Sequence, residues 1–212
     1  MEVFYIIGAI LFLLIIVYIC FYKKINLFIV AITGKKRIQK KLYKECKVHD
    51  FLILNDIWLP IGDNKYKYVD TIIFGNKYIY ITKEVKQAGE IKIEVDDVKW
   101  RVIYHNSLTL IENPFLYNKR VINHLLNVVD GLEQKDLKNL VVLAKTCTFK
   151  AVTSSNNEFV VSENDAIKTI IEIEKNSDDD VFDPFEVERY CKAFYEHGLE
   201  AEKVIKKRKY GE

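Results

Sequence analysis

Residues Val3 to Tyr22 read VFYIIGAILFLLIIVYICFY, without a single charge. An uncharged run of about 20 residues is what an α-helix needs to cross a hydrocarbon core of roughly 30 Å. A helix buried in a water-soluble core keeps a polar stripe, and this run has none. A cleaved signal is also a poor fit: Glu2 stands where a basic n-region belongs, and no small-residue cleavage site follows. The segment is expected to be a permanent single-span anchor, with Tyr5, Tyr18 and Tyr22 near its interfacial ends.

Charge orients that span. Lys23, Lys24, Lys35, Lys36, Arg37, Lys40, Lys41, Lys44 and Lys47 follow it against the single acid Glu45. Positive flanks stay inside, so the N-terminus is expected outside and the rest of the chain in the cytoplasm, as a single-pass protein of the cell membrane. The stretch Ile25 to Thr33 is apolar but too short to span, and Gly34 closes it. The basic run either binds anionic headgroups, at about 1 kcal/mol per residue, or serves only as the topology signal. The two roles are compatible.

The chain has 212 residues, 32 basic and 30 acidic, so what lies beyond the basic run is net acidic until a second run from Lys203 to Lys209. Half of its residues are apolar and 13% aromatic, which excludes a disordered chain. About 170 residues beyond the anchor suffice for one cored domain and hardly for two. Cys20, Cys46, Cys147 and Cys191 lie far apart without ligand spacing, so reduced, structural thiols are expected. Lys-, Ile- and Asn-rich, Pro-poor usage points to a low-GC bacterium.

Ile38, Leu42 and Cys46, at intervals of four, predict a basic amphipathic helix from Lys35 to about Cys46. Strands are expected over Asp50–Leu59, Tyr66–Phe74 and Lys77–Lys86, the last two joined at Gly75-Asn76 as a hairpin. Two more are read over Glu90–Trp100 and Trp100–Ile111. Asn113-Pro114 opens a helix to about Leu132. Leu140–Ala144 reads as a strand buried on both faces, Phe159–Val161 as a short strand, and Ser162, with Asp165 three residues on, as a helix cap. After the polar loop Asn176–Asp180, Asp183-Pro184 starts a helix to about His197, which Gly198 is expected to break before a last helix. The fold class is α/β or α+β, with a mixed sheet flanked by helices. The expected parts are an anchor (1–22), a juxtamembrane segment (23–34), a domain (35–175) and a C-terminal helical extension (176–212).

Asp70 comes late in an apolar strand, between Val69 and Thr71-Ile72-Ile73-Phe74, and Glu84-Val85-Lys86 follows on its hairpin partner. An Asp, then a Glu-x-Lys, suits metal-dependent phosphodiester hydrolysis: two carboxylates hold Mg²⁺ or Mn²⁺ and a lysine steadies the attacking water or the transition-state charge. On spacing alone the pattern arises readily by chance in a Lys/Glu-rich chain.

The order of motifs adds to it. A Gly-initiated helix, FLILNDIWLP, VDTIIF, the hairpin to Gly89, Trp100, Asn113-Pro114-Phe115 and LVVLA together resemble the nuclease-related domain (NERD) family over about Gly34 to Ala166. That resemblance implies membership of the PD-(D/E)xK nuclease superfamily, its mixed sheet flanked by helices, and Mg²⁺ or Mn²⁺ in an active member. The carry-over is incomplete. Where the family starts its first helix with Gly-Glu, this chain has Gly34-Lys35; the family aspartate is present as Asp70; the Gln that follows Asn-Pro is Tyr117. Without a gap, Lys83 and Val85 take the places of the catalytic glutamate and lysine. With a one-residue shift, Glu84 and Lys86 fill them.

Alternation bears on the choice. Ile79, Ile81, Lys83 and Val85 share one strand face, and Tyr78, Tyr80, Thr82, Glu84 and Lys86 the other. Since the family pair continues the aliphatic face, the ungapped match is favoured, and the shifted one needs a β-bulge near Thr82. Three readings stay open. One is an active nuclease using Asp70, Glu84 and Lys86. Another is a degenerate member that binds DNA, RNA or an anionic partner through Lys35, Lys36, Arg37, Lys40 and Lys83. The third is a membrane scaffold whose terminal helices recruit a protein. His49, His105, His124 and His197 share no ligand spacing, and no P-loop, Rossmann or hydrolase motif occurs.

Overall fold

The computed structural model describes residues 7, 10–13, 15–16, 33–62, 65–150 and 157–210. The expected span Val3–Tyr22 therefore lies largely outside the described residues. Among the described residues no helix is long and apolar enough to cross a membrane.

Two mixed sheets carry the domain. The larger has the order β1-β2-β3-β7-β9, built from β1 (Leu52–Gly62), β2 (Lys65–Phe74), β3 (Ile79–Val85), β7 (Leu137–Leu143) and β9 (Glu158–Ser162). Its first three strands are antiparallel, and β3, β7 and β9 run parallel. The smaller has the order β6-β5-β4-β8, built from β4 (Gly89–Lys92), β5 (Lys99–Tyr104), β6 (Ser107–Glu112) and β8 (Cys147–Phe149).

Helices cover both faces of the larger sheet. On one face α1 (33–48) and α3 (Ala166–Asn176) bury Ile38, Leu42, Cys46, Ile167 and Ile170 against Ile73, Tyr80, Leu140 and Val142. On the other, α2 (Pro114–Val128) and α4 (Pro184–Tyr210) bury Val121, Ile122, Leu125, Tyr190 and Phe194 against Ile72, Phe74, Ile79 and Ile81. β7 is buried at every position, which is why its sequence shows no alternation. Asn118 ties α2 to the sheet by donating to the Ile81 carbonyl at 2.8 Å and to Asn139 Oδ1 at 2.8 Å. Asn113 caps α2 by accepting from the Phe115 N–H at 2.9 Å, and its amide donates to the Val95 and Asp97 carbonyls.

Four local expectations are corrected. The stretch read as one strand over Trp100–Ile111 is a hairpin, turning at His105 and Asn106 with φ of 44° and 63°. Both are left-handed, the turn that matches strand twist, but without the glycine that usually announces it. β4 ends at Lys92 rather than continuing to Trp100. Gly198 does not break α4, which is continuous and lays that residue on Ile57 and Trp58 of β1. Asp165, not Ser162, stands at the N-cap of α3; the Ser162 hydroxyl accepts from the Asn164 N–H at 3.2 Å.

Candidate functional site

β3 pairs with β7 in one unbroken register from Ile79↔Leu137 to Val85↔Leu143, so no bulge interrupts it near Thr82. The irregularity sits across the hairpin instead. On the α2/α4 side, β1 contributes Leu54 and then Ile57 to the apolar cluster, and β2 contributes Val69 and then Ile72. Each alternation slips by one residue between those positions, at Asp56, with φ of 59°, and at Asp70. Pairing between β2 and β3 stops at Thr71↔Thr82, just short of Asp70.

The slip leaves a buried aspartate at the centre of a charged cluster. Asp70 Oδ2 lies 2.8 Å from Lys83 Nζ and accepts from the Glu84 N–H at 3.2 Å, and Oδ1 is 3.7 Å from Lys86 Nζ. Lys83 reaches it from the α2 face, where its ammonium also sits 4.3 Å from the centre of the Tyr117 ring. Lys67 stands over the same ring at 3.7 Å, and the Tyr117 hydroxyl donates to the Tyr68 carbonyl at 2.7 Å. Burial pushes the Tyr117 phenol up to about 12, keeping it a neutral donor.

Glu84 is buried on the opposite face. Oε1 lies 3.0 Å from the Thr71 hydroxyl, whose other neighbour is Asn55 Oδ1 at 2.8 Å, while Oε2 has no hydrogen-bond partner. Burial, and then the nearby negative charge of Asp70, push the Glu84 carboxyl up to about 7; the Thr71 hydroxyl, Lys86 and Lys35 oppose the shift.

Of the other residues singled out by sequence, Lys35 pairs with Asp56 at 2.5 Å and also touches the Tyr68 hydroxyl. Asp56 is held further by Gln39 Nε2 at 2.8 Å. Arg37 pairs with the buried Glu163 at 3.0 Å. Lys36 and Lys40 are exposed, four residues apart on α1. The structure therefore gathers Asp70, Lys83, Glu84 and Lys86 at one point and leaves Lys36 and Lys40 to an outer helical face. Sequence reasoning missed Lys67, Thr71, Asn55 and Asp56; the face slip that assembles them leaves no periodic trace.

The sequence model of the nuclease-related domain (NERD) matches residues 32–144, more than half of the chain and all of the strands and helices that build this cluster. The chain belongs to the NERD family. No curated protein and no solved structure matches it. In a NERD domain the cluster around Asp70 is the place to test for a divalent cation. Mg²⁺ takes near-octahedral oxygen ligands and needs ionised carboxylates. Here the lysine ammonium of Lys83 lies against Asp70 Oδ2, and Glu84 is ionised only in part near pH 7. Among the described residues no group of three or more His, Cys, Asp or Glu side chains is placed to hold a metal. The donor set does not fit Mg²⁺ or Mn²⁺.

Proposed function

We propose that this NERD protein is a membrane-held relative of the metal-dependent nucleases that binds the phosphate backbone of nucleic acid without cutting it. The Lys83–Asp70 pair at 2.8 Å carries this reading, because an ammonium supplies the countercharge that a dication supplies in a cleaving site. Around it, Lys67, Lys86 and Arg120 supply further positive charge, and burial of Lys67 beside Lys83 and Arg120 lowers its pKa. Repulsion among partly buried cations is relieved by an anion, and a phosphate is the anion whose geometry suits several lysines at once. Lys36 and Lys40 extend the positive surface along α1.

The membrane part of the proposal rests on the uncharged run Val3–Tyr22 and the basic excess behind it. Of that run, Ile7, Ile10, Leu11, Phe12, Leu13, Ile15 and Ile16 are helical with exposed side chains, large apolar groups that the domain does not cover.

Two observations favour the cleaving alternative, with Asp70, Glu84 and Lys86 as its residues. Glu84 Oε2 is buried without a partner, and Lys86 stands beside Asp70. Fluorescence anisotropy of labelled DNA and RNA with the full chain in detergent, over a salt series, tests the binding reading. Binding should weaken with log[salt], by a slope of about 0.7–0.9 per phosphate contacted, and Lys83→Met should lower that slope by about 1. Absence of binding at low salt contradicts it. Cleavage of either nucleic acid with Mg²⁺ or Mn²⁺ that is lost in Asp70→Ala establishes the alternative.

A further inference from the structure

β6 is the edge strand of the smaller sheet, and it is exposed from Ser107 through Leu110. Pairing of Trp100 with Ile111 and of Val102 with Thr109 puts Thr109 on the face of Trp100 and Val102, where it is itself exposed at the sheet edge. Leu108 and Leu110, paired with Ile103 and Arg101, point the other way and are 62% and 54% exposed. Scattered exposed leucines are ordinary, but two successive outward positions of one edge strand set both leucines on one sheet face beside the half-buried Ile103.

The charges on that outer face carry a small basic excess. Lys92, Lys99 and Arg101 lie on it by register, with Glu90 and Glu112 as its acids. Glu112 is already engaged by Lys67 at 3.4 Å and Arg120 at 2.9 Å, and Arg101 has Glu94 at 3.8 Å. An apolar strip flanked by basic side chains suits the boundary between acyl chains and anionic headgroups.

Its position in the molecule points to the same surface. Gly34, at the start of α1, lies against Lys86, and Gly89 lies against Ile103 and Tyr104 beside the hairpin turn. Gly89 is three positions on from Lys86, at most about 11 Å of extended chain. The turn of the β5–β6 hairpin is therefore close to the point where the chain leaves its N-terminal apolar segment.

We infer that the outer face of the β5–β6 hairpin, Ile103, Leu108 and Leu110 flanked by Lys92, Lys99 and Arg101, rests in the headgroup region of the bilayer. The inference rests on the membrane-held reading for the bilayer it meets. Lys86 contacts both Gly34 and the Asp70 carboxylate, so docking of this face also turns the Asp70 cluster toward the membrane surface.

The test reconstitutes the full chain into vesicles of phosphatidylcholine alone or mixed with phosphatidylglycerol, with and without bromine-substituted acyl chains. Leu110→Trp adds emission to that of Trp58 and Trp100, which the parent chain supplies as a blank. The added emission should shift to the blue and be quenched by bromolipid, more strongly with phosphatidylglycerol, and both effects should vanish when Leu108→Glu is combined with it. Position 108 is exposed, so that change leaves the core intact, and the unchanged Trp100 emission checks it. Resistance to an alkaline wash reports separately on the anchor. A chain stripped by the wash but quenched before it keeps the hairpin inference and removes the anchor. A chain that survives the wash with its added emission indifferent to bromolipid overturns the inference. So does a blue shift that grows with protein concentration while bromolipid leaves it unchanged, since the occupant is then a second copy.

Discussion

Glu84 and Glu174 are both carboxylates buried on the α1/α3 side of the larger sheet, and burial raises the pKa of each. Their partners differ. Glu174 Oε2 accepts from the Asn76 and Lys77 N–H groups at 2.9 Å each, and Oε1 accepts from the Tyr80 hydroxyl at 3.1 Å. That carboxylate closes the β2–β3 turn from α3, so near Gly75 that a Cβ there would meet Oε1. Glu84 has the Thr71 hydroxyl on one oxygen and nothing on the other. A buried acid with both oxygens engaged is part of the framework. One with an orphaned oxygen beside a second carboxylate and two lysines is a site, kept at a cost to the fold.

The largest effect should come from Glu174→Ala. Two backbone N–H groups of the β2–β3 turn and the buried Tyr80 phenol lose their acceptor, and thermal or urea unfolding should show a loss of about 3 kcal/mol. A loss below about 1 kcal/mol would break the comparison, because Glu174 would then hold nothing together.

Glu84 should affect stability through pH. The folded state keeps its proton up to about 7, whereas the unfolded chain releases it near the ordinary value of 4.5, so the folded state binds more protons between those limits. Stability therefore falls as pH rises through that window, by on the order of 3 kcal/mol. Glu84→Gln should match the parent near pH 5 and exceed it near pH 8. Glu174 slopes the same way in both chains and cancels in the difference. Equal stabilities at both pH values would mean that Glu84 is charged and satisfied in the fold.

The smallest effect sharpens the contrast. Thr71→Val removes the one hydroxyl that holds Glu84 down and should cost about 1 kcal/mol in unfolding measurements. Titration of the Glu84 carboxyl, followed by carbon NMR, should move further up in that variant. A titration that stays where it is would show that Thr71 serves Asn55 instead.

Much of the framework was legible in the sequence because it is periodic. The α1 positions Ile38, Leu42 and Cys46, the β3 alternation and the unbroken apolar run of β7 each follow from burial of one face or two. The β5–β6 hairpin escaped because His105-Asn106 adopts a left-handed turn without glycine, and β8, three residues long, is too short to show a period. At the site, alternation correctly set Lys83 on the aliphatic face and Glu84 on the other. What it could not convey is that β1 and β2 slip at Asp56 and Asp70, which lets the aspartate touch residues from both faces of β3. The lysines around Tyr117 likewise come from two strands and converge only in space.

The central claim, that Lys83 rather than a dication balances Asp70, is tested most directly by titrating Mn²⁺ into the full chain and counting free ion by electron paramagnetic resonance. The account predicts that the free-ion signal is the same with the parent and with Asp70→Ala. A signal depleted by the parent and restored in Asp70→Ala would contradict it and make Asp70 and Glu84 the metal ligands of a cleaving site.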